Sequence, residues 1–481
     1  MRPILLAAFL VAAAPAANGV APPLPDGLQE KEEEKKEKKK GPALPPGLFG
    51  AKSPPSLPPG LGASHTDDEK EGDAESWAER YGISFTGFSE VRAGLRLQAD
   101  PHEKAASVGE ARLQLSVEKE LDFGTAIVTG DVVFDPVLDN HTIDLETGTG
   151  WLDLREASIL IRPTSFADVK VGRQILTWGT GDLLFINDLF PKDWNAFFIG
   201  RDTEYLKAPS DAAKLALFSG VANLDIIYTP RFDTDRYIDG KRLSYFNPAL
   251  GQIAGQNGLV RSARPDNWFT DDEWALRLHR NIGTTEAALY FYDGFWKSPA
   301  GQNTEIGLAT FPRLRSYGAS LRRPLLGGIA HIEVGLYDSL DDPDGNNPFI
   351  TNSEFRWFAG FERELAPELT GTFQYYQERI LEYDNYLGTL PAGFPQRDKV
   401  RHVITLRLTK FAMNQTLTWS LFAYYSPSDK DGYLRPKVSY KLTDAWQMEA
   451  GANVFMGTAQ NTFFGQFKKN TNLFTSLRYS F

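Results

Sequence analysis

The sequence predicts an all-β fold: a transmembrane antiparallel up-and-down β-barrel of about 18 strands (16–18), preceded by a disordered amino-terminal segment. Three observations predict it. The chain ends in an alternating run in which Leu473, Thr475, Leu477, Tyr479 and Phe481 oppose Asn472, Ser476, Arg478 and Ser480. The same two-residue period recurs from Tyr81 onward, so that one face of each run suits lipid and the other a wet lumen. The links between the runs alternate between short and long, as short periplasmic turns and longer outer loops do in such barrels.

Residues 1–19 read as an export signal. Arg2 supplies a positive charge, Ile4 to Ala14 form an apolar run, and Ala14-Pro15-Ala16 offers small cleavage-site residues. That run is far shorter than the roughly 20 residues of a helical membrane span. The absence of cysteine excludes a lipoprotein anchor, a disulfide framework and C-x-x-C-H haem attachment.

Residues 20–76 read as a Pro- and charge-rich periplasmic segment. Lys31 to Lys40 is a block of charges, and the unit Leu24-Pro-Asp-Gly-Leu28 recurs as Leu44-Pro-Pro-Gly-Leu48 and Leu57-Pro-Pro-Gly-Leu61. Such composition suits an extended, solvated spacer. Three copies of one short unit also suit docking to a periplasmic protein partner.

Residues 77–481 read as the barrel. In the first run Ile83, Phe85, Val91, Ala93, Leu95 and Leu97 alternate with Ser84, Thr86, Glu90, Arg92, Arg96 and Gln98. The second sets Ala111, Leu113, Leu115 and Val117 against Glu110, Arg112, Gln114, Ser116 and Glu118. The third sets Ala126, Val128, Val132 and Phe134 against Thr125, Thr129, Asp131 and Asp135. Comparable runs fall at 156–162, 168–178, 212–219, 223–229, 273–280, 286–292, 315–322, 331–338, 354–362, 369–377, 401–409, 416–425, 434–442, 445–456 and 472–481. Short links lie at 121–124, 163–167, 220–222, 282–284, 325–328, 363–368, 410–414 and 443–444, and the longest links at 179–211 and 230–271. Trp178, Tyr228, Trp274, Trp357, Tyr375, Tyr425, Trp446 and Tyr479 fall near strand ends, where aromatic girdles meet the headgroups.

A barrel of this size is wide enough for an aqueous channel rather than a packed core. Its selectivity would follow from the inward charges and the narrowest point. Alternation turns Arg92, Arg96, Arg112, Arg401, Arg407, Arg435, Lys437, Lys441 and Arg478 inward as pore-lining cations. Most of them fall on strands 14, 16, 18 and 1, which closure brings near one another. One wall is therefore expected to be positive and to favour anions, unless salt bridges to neighbouring strands neutralise it. Inward acids include Glu90, Glu110, Asp131, Glu273, Glu333, Glu354, Glu378 and Glu449.

The link after Trp178 is the most distinctive local sequence. Gly179-Thr-Gly-Asp-Leu-Leu-Phe-Ile-Asn-Asp-Leu-Phe190 and Pro191-Lys-Asp-Trp-Asn-Ala-Phe-Phe198 are too apolar for a loop in water. An inward fold against the barrel wall would make it a constriction loop lined by Asp182, Asp188, Asp193, Arg201, Asp202 and Lys207. The alternative is an external cap or docking surface.

Glu156-Ala on strand 4, followed by Val171-Gly-Arg-Gln-Ile-Leu-Thr-Trp-Gly179 on strand 5, resembles the G-R-Q…W-G signature of bacterial porin-like families related to alginate-export channels. The resemblance implies a monomeric channel for organic solutes or anionic polymers, with Arg173 as a structural or pore-wall residue. The amino-terminal segment lies outside that pattern.

Other chemistry is sparsely represented. Asp341-Asp-Pro-Asp-Gly-Asn-Asn347 and Asp429-Lys-Asp-Gly432 offer oxygen ligands but read more simply as turns. The six histidines show no metal-ligand spacing, and no G-x-S-x-G elbow occurs. No cofactor, no metal and no catalytic residue is expected, and the chain does not read as an enzyme. A net charge of −11 argues against nucleic acid. The sequence thus predicts a Gram-negative outer-membrane porin or channel. Its expected partners are outer-membrane lipid and a small hydrophilic or anionic solute, with scaffolding of a periplasmic or extracellular protein as the rival reading.

Overall fold

The computed structural model describes residues 82–138 and 142–481. The expected signal peptide and the Leu-Pro repeats of residues 20–76 lie outside the described residues.

Eighteen strands form one sheet. In chain order they are β1 (Ile83–Arg96), β2 (Ala106–Leu121), β3 (Gly124–Phe134), β4 (Leu152–Thr164), β5 (Ala167–Ile175) and β6 (Pro209–Leu217). Next come β7 (Asn223–Thr229), β8 (Glu273–Ile282), β9 (Thr285–Phe295), β10 (Arg313–Leu325), β11 (Gly328–Ser339) and β12 (Glu354–Ala366). The last six are β13 (Leu369–Ile380), β14 (Val400–Ala412), β15 (Leu417–Ser426), β16 (Asp431–Lys441), β17 (Trp446–Gly457) and β18 (Asn472–Ser480).

Each strand pairs antiparallel with the next, and β18 returns to β1 with Arg478 opposite Glu90 and Asn472 opposite Arg96. Phe481 completes the seam, exchanging two backbone hydrogen bonds of 3.0 Å with Gly87. Closure leaves no sheet edge, which hydrocarbon requires because it cannot solvate a free N–H or C=O.

The alternation has physical content. On β1, Glu90 and Arg92 are 5% and 3% exposed while Val91 and Leu95 are 56% and 62% exposed. Apolar side chains therefore cover the exterior and charged ones are enclosed. Outside, Tyr228 packs against Trp274 at 4.6 Å, Trp357 against Tyr375 at 5.5 Å and Trp446 against Tyr479 at 5.0 Å, as girdle positions should. Trp178 departs from that expectation. It is buried inside, edge-on to Phe190 at 5.0 Å.

The eight turns on the side of the chain ends are short, and the long connections emerge opposite. An even-stranded closed barrel with an apolar exterior and this turn asymmetry is the outer-membrane type, so the chain is a protein of a bacterial outer membrane.

The interior departs from a water-filled lumen. The connection between β5 and β6 folds inward. Its Ile186, Phe190, Phe197, Phe198, Ile199 and Leu206 join one apolar cluster with inward aromatics of the wall, among them Tyr290, Tyr337, Phe358, Tyr433 and Phe455. At that level the barrel holds a packed core. The reason lies in the wall, where inward positions alternate between charge and large aromatic rings that only an apolar insert can cover.

Candidate functional site: the inserted loop and its charged wall

The inserted segment runs from Leu176 to Ala208 and is fastened along its length. Its first half lies on β11. Glu333 accepts from the Thr180 amide (2.7 Å), the Thr180 hydroxyl (3.1 Å) and the Asn187 amide (2.8 Å). Tyr337 donates to the Ile186 carbonyl, and Tyr424 of β15 donates to that of Leu183. Asn187 donates to Val334 O at 3.1 Å.

The second half begins with a one-turn helix, α1 (Trp194–Phe198). Asp193 caps it by accepting from the Ala196 amide at 2.7 Å, a standard use for an Asp at that position. A 3-10 turn over Thr203–Leu206 follows.

Most of the expected constriction residues have specific partners. Asp182 pairs with Arg407 of β14 at 2.5 Å. Burial pushes its carboxyl above the ordinary range, against the pull of Arg407. Asp188 is enclosed with Lys192 (2.9 Å) and the Thr177 hydroxyl (2.8 Å). Asp193 also meets Arg236 at 3.3 Å. Arg201 pairs with Glu110 of β2. Asp202 meets Arg478 at 2.5 Å, Lys437 at 3.5 Å and Arg92 at 4.0 Å. Burial opposes ionisation of Asp202, yet Arg478, Lys437 and Arg92 together hold its carboxyl at about 2. Lys207 is half-buried near Asp188, and burial lowers its ammonium from the ordinary lysine value.

The wall cations are equally engaged. Arg92 bridges Glu90 (3.0 Å) and Glu449 (3.2 Å) and donates to Gly200 O at 2.5 Å. Arg112 pairs with Glu110 at 2.7 Å and with Asp131, and lies 4.4 Å over the Tyr205 ring. Arg478 reaches Glu90 at 2.9 Å and Lys437 reaches Glu449 at 2.6 Å. Arg96 donates to the carbonyls of Lys104, Ala106 and Arg242, tying β1 to the outer loops. Arg401 pairs with Asp429 at 2.5 Å. Arg435 donates to the Arg201 carbonyl. Lys441 is exposed near the short-turn end.

The structure therefore brings Arg92, Arg112, Arg435, Lys437 and Arg478 together around Arg201 and Asp202. It leaves Arg96, Arg401 and Lys441 away from them. Of the two expectations for this wall, positive or laced with salt bridges, these ion pairs match the second, because Glu90, Glu110, Glu449 and Asp202 alternate with its cations. Enclosed charges need such partners, since an unpaired one would be costly away from water.

The Gly172-Arg173-Gln174 motif is a structural hub. Gly172 has φ +116°, and a Cβ there would lie 2.3 Å from Ala157 O. This break in the alternation sends Arg173 to Leu154 O (2.6 Å), Glu146 O (3.0 Å) and Asp211 (3.2 Å). The Gln174 amide donates to Ala212 O at 3.0 Å. Simple parity fails here, with Arg173 and Gln174 both buried, although the pairing with both neighbouring strands runs unbroken through Gly172.

The acidic turn at 341–347 is a turn: Asp342 accepts from the Asn346 and Asn347 amides at 3.0 and 2.8 Å. Among the described residues no group of His, Asp and Glu side chains is arranged to hold a metal. Sequence reasoning missed Gly318, Gly335, Tyr337 and Tyr424 as loop anchors. Nothing local marks them, since each meets a segment far away in the chain.

No protein-family model matches the sequence, and no curated protein matches it. Solved structures with a similar fold include OccD3 (OpdP) of Pseudomonas aeruginosa, at 10% identity and a TM-score of 0.49, covering 83% of this chain and 91% of that one. OccAB3 of Acinetobacter baumannii is 12% identical with a TM-score of 0.48, covering 83% and 99%. A loop-deletion mutant of OmpT, an outer membrane protein of Vibrio cholerae, is 11% identical with a TM-score of 0.39, covering 83% and 100%. The likeness is one of barrel architecture, and the alginate-export resemblance stays with the motif around Arg173.

Proposed function

We propose that the chain is an outer-membrane channel through which small hydrophilic solutes, anions preferentially, pass down their gradients. The observation that carries this reading is the inserted Leu176–Ala208 segment, fastened inside a closed barrel among inward-facing charged side chains. A loop held across a lumen narrows it, and charges at a narrow point act in a low-dielectric setting where they discriminate strongly. Asp182, Arg201 and Asp202 would border the passage together with Arg92, Arg407, Arg435, Lys437 and Arg478. The packed interior favours a narrow, selective passage over a wide one.

Chemistry at this site would be confinement and charge pairing, with no covalent step. A solute anion would exchange with Asp202 and Asp182 for the same cations, so the lattice both closes the passage and offers replacement contacts. The balance between cations and carboxylates sets the expected preference as modest.

Purified full-length protein in planar bilayers tests the reading. Stepwise conductance with a reversal potential shifted toward that of chloride in a KCl gradient is expected. Absence of conductance steps would remove the channel reading, and a shift toward potassium would remove the anion preference alone.

A further inference from the structure

Beneath the inserted loop, on the side facing the short turns, lies a recess of about 310 Å³ including the solvent at its mouth. Arg407 of β14 and both Arg435 and Lys437 of β16 line it, with Thr203 of the loop and Ser420 of β15, the strand between them. The three cations are not equally satisfied. Arg407 gives its Nε to Asp182 at 2.5 Å, and Lys437 is shared between Glu449 and Asp202. Arg435 is 5% exposed, lies 4.5 Å over the Phe197 ring and donates Nη2 to the Arg201 carbonyl. Its Nη1 is buried with no hydrogen-bond partner among the described residues. An enclosed guanidinium without a carboxylate is costly, and this one forms part of the wall of a recess bearing two more cations and two hydroxyls.

We propose that this recess is a binding site for an oxyanion group, a carboxylate or phosphate, carried by the solute. An oxyanion there would accept from the Arg435 and Arg407 guanidinium groups, from Lys437 and from the Thr203 and Ser420 hydroxyls. It would supply the anionic partner that Arg435 lacks. Guanidinium groups suit this role because they offer paired donors in a plane matched to two oxygens. The solute's arrival depends on the channel reading; the geometry of the site does not.

Two measurements separate the two ideas. Calorimetry on detergent-solubilised full-length protein, titrated separately with inorganic phosphate and with acetate, reads the site without any membrane. Saturable binding of either is expected, weakened about tenfold or more by Arg435→Gln. Lys410→Gln, the same charge change on β14 but outside the recess, should leave binding as it is. Arg407→Gln carries the test if Arg435→Gln does not yield a folded barrel, judged by its heat-modifiable mobility on gels. In bilayers, phosphate should reduce chloride conductance with saturation. Conductance without saturable binding of either anion overturns the site and spares the channel. Binding that Arg435→Gln and Arg407→Gln leave unchanged overturns it as well. Binding without any conductance keeps the site and removes the channel.

Discussion

Gly318 of β10 lies directly opposite Gly335 of β11 in the sheet register, and together they form a notch that receives the tip of the inserted loop. A Cβ on Gly318 would fall 1.6 Å from Asn187 Oδ1, and one on Gly335 would fall 2.6 Å from Ile186 Cγ2. Ile186 is wholly buried there. Gly335→Leu should therefore push the tip off the wall while leaving the barrel closed, at a cost of about 1–3 kcal/mol. Larger single-channel conductance and new protease cleavage within residues 179–190 are expected. Unchanged conductance in a variant whose loop is cleaved would mean that the loop does not limit flow.

Glu333 is the polar counterpart of that notch. Its carboxylate accepts from Thr180 twice and from Asn187 once, and charge-assisted bonds of this kind are worth about 1.5–3 kcal/mol. Glu333→Gln keeps the shape and removes the charge. Faster amide exchange at Thr180 and Asn187 is expected, with β11 itself still protected. Slow exchange at both amides would show that the apolar contacts alone hold the loop.

Much of this architecture was readable from residue order, and the boundary of legibility has a physical cause. Alternation such as Glu90-Val91-Arg92-Ala93 reports burial directly, because a strand turns successive side chains to opposite faces. The apolar run Leu183 to Phe190 likewise announced a loop that water would not tolerate. What alternation cannot report is the partner across the lumen. Arg92 and Glu449 are equally charged and inward in sequence terms, yet only the folded register puts them 3.2 Å apart. Whether the wall bearing Arg92 is positive or laced with salt bridges turns on the same register, since Glu449 of β17 and Asp202 of the loop join Glu90 of β1 against its cations. The packed interior was hidden similarly: Tyr433 and Arg435 share one face of β16, and the polar member drew attention to itself.

The motif at Gly172 predicts a defect in assembly rather than in transport. Its φ of +116° is open to glycine and costly for any side chain, and the Ala157 carbonyl blocks the space a methyl would need. Gly172→Ala should lower the yield of heat-modifiable, folded barrel. Arg173→Lys should do so less severely, because an ammonium cannot reach Leu154 O, Glu146 O and Asp211 at once. Folded Arg173→Lys protein should conduct as the parent does. A changed ion selectivity in that variant would instead make Arg173 part of the passage wall.

The outer loops carry a pH dependence whose sign follows from Asp233, which lies beyond the end of β7. Burial pushes its carboxyl up from 3.8 to about 6, in part opposed by the Lys297 ammonium and by the Asp211 amide at 3.0 Å. The folded loop therefore holds a proton at pH values where the unfolded chain has released it. Stability from this group is greatest below about 4, declines as pH rises to about 6 and then levels, a change of about 3 kcal/mol at most. Glu103, pushed up to about 7 chiefly by burial, acts in the same direction. Asp202 acts oppositely, since its contribution is lost only as pH falls from about 4 toward 2. Comparing the parent with Asp233→Asn isolates one group: thermal stability of the variant should be flatter between pH 4 and 6. Parallel curves for the two proteins across that interval would show that Asp233 stays ionised in the folded loop.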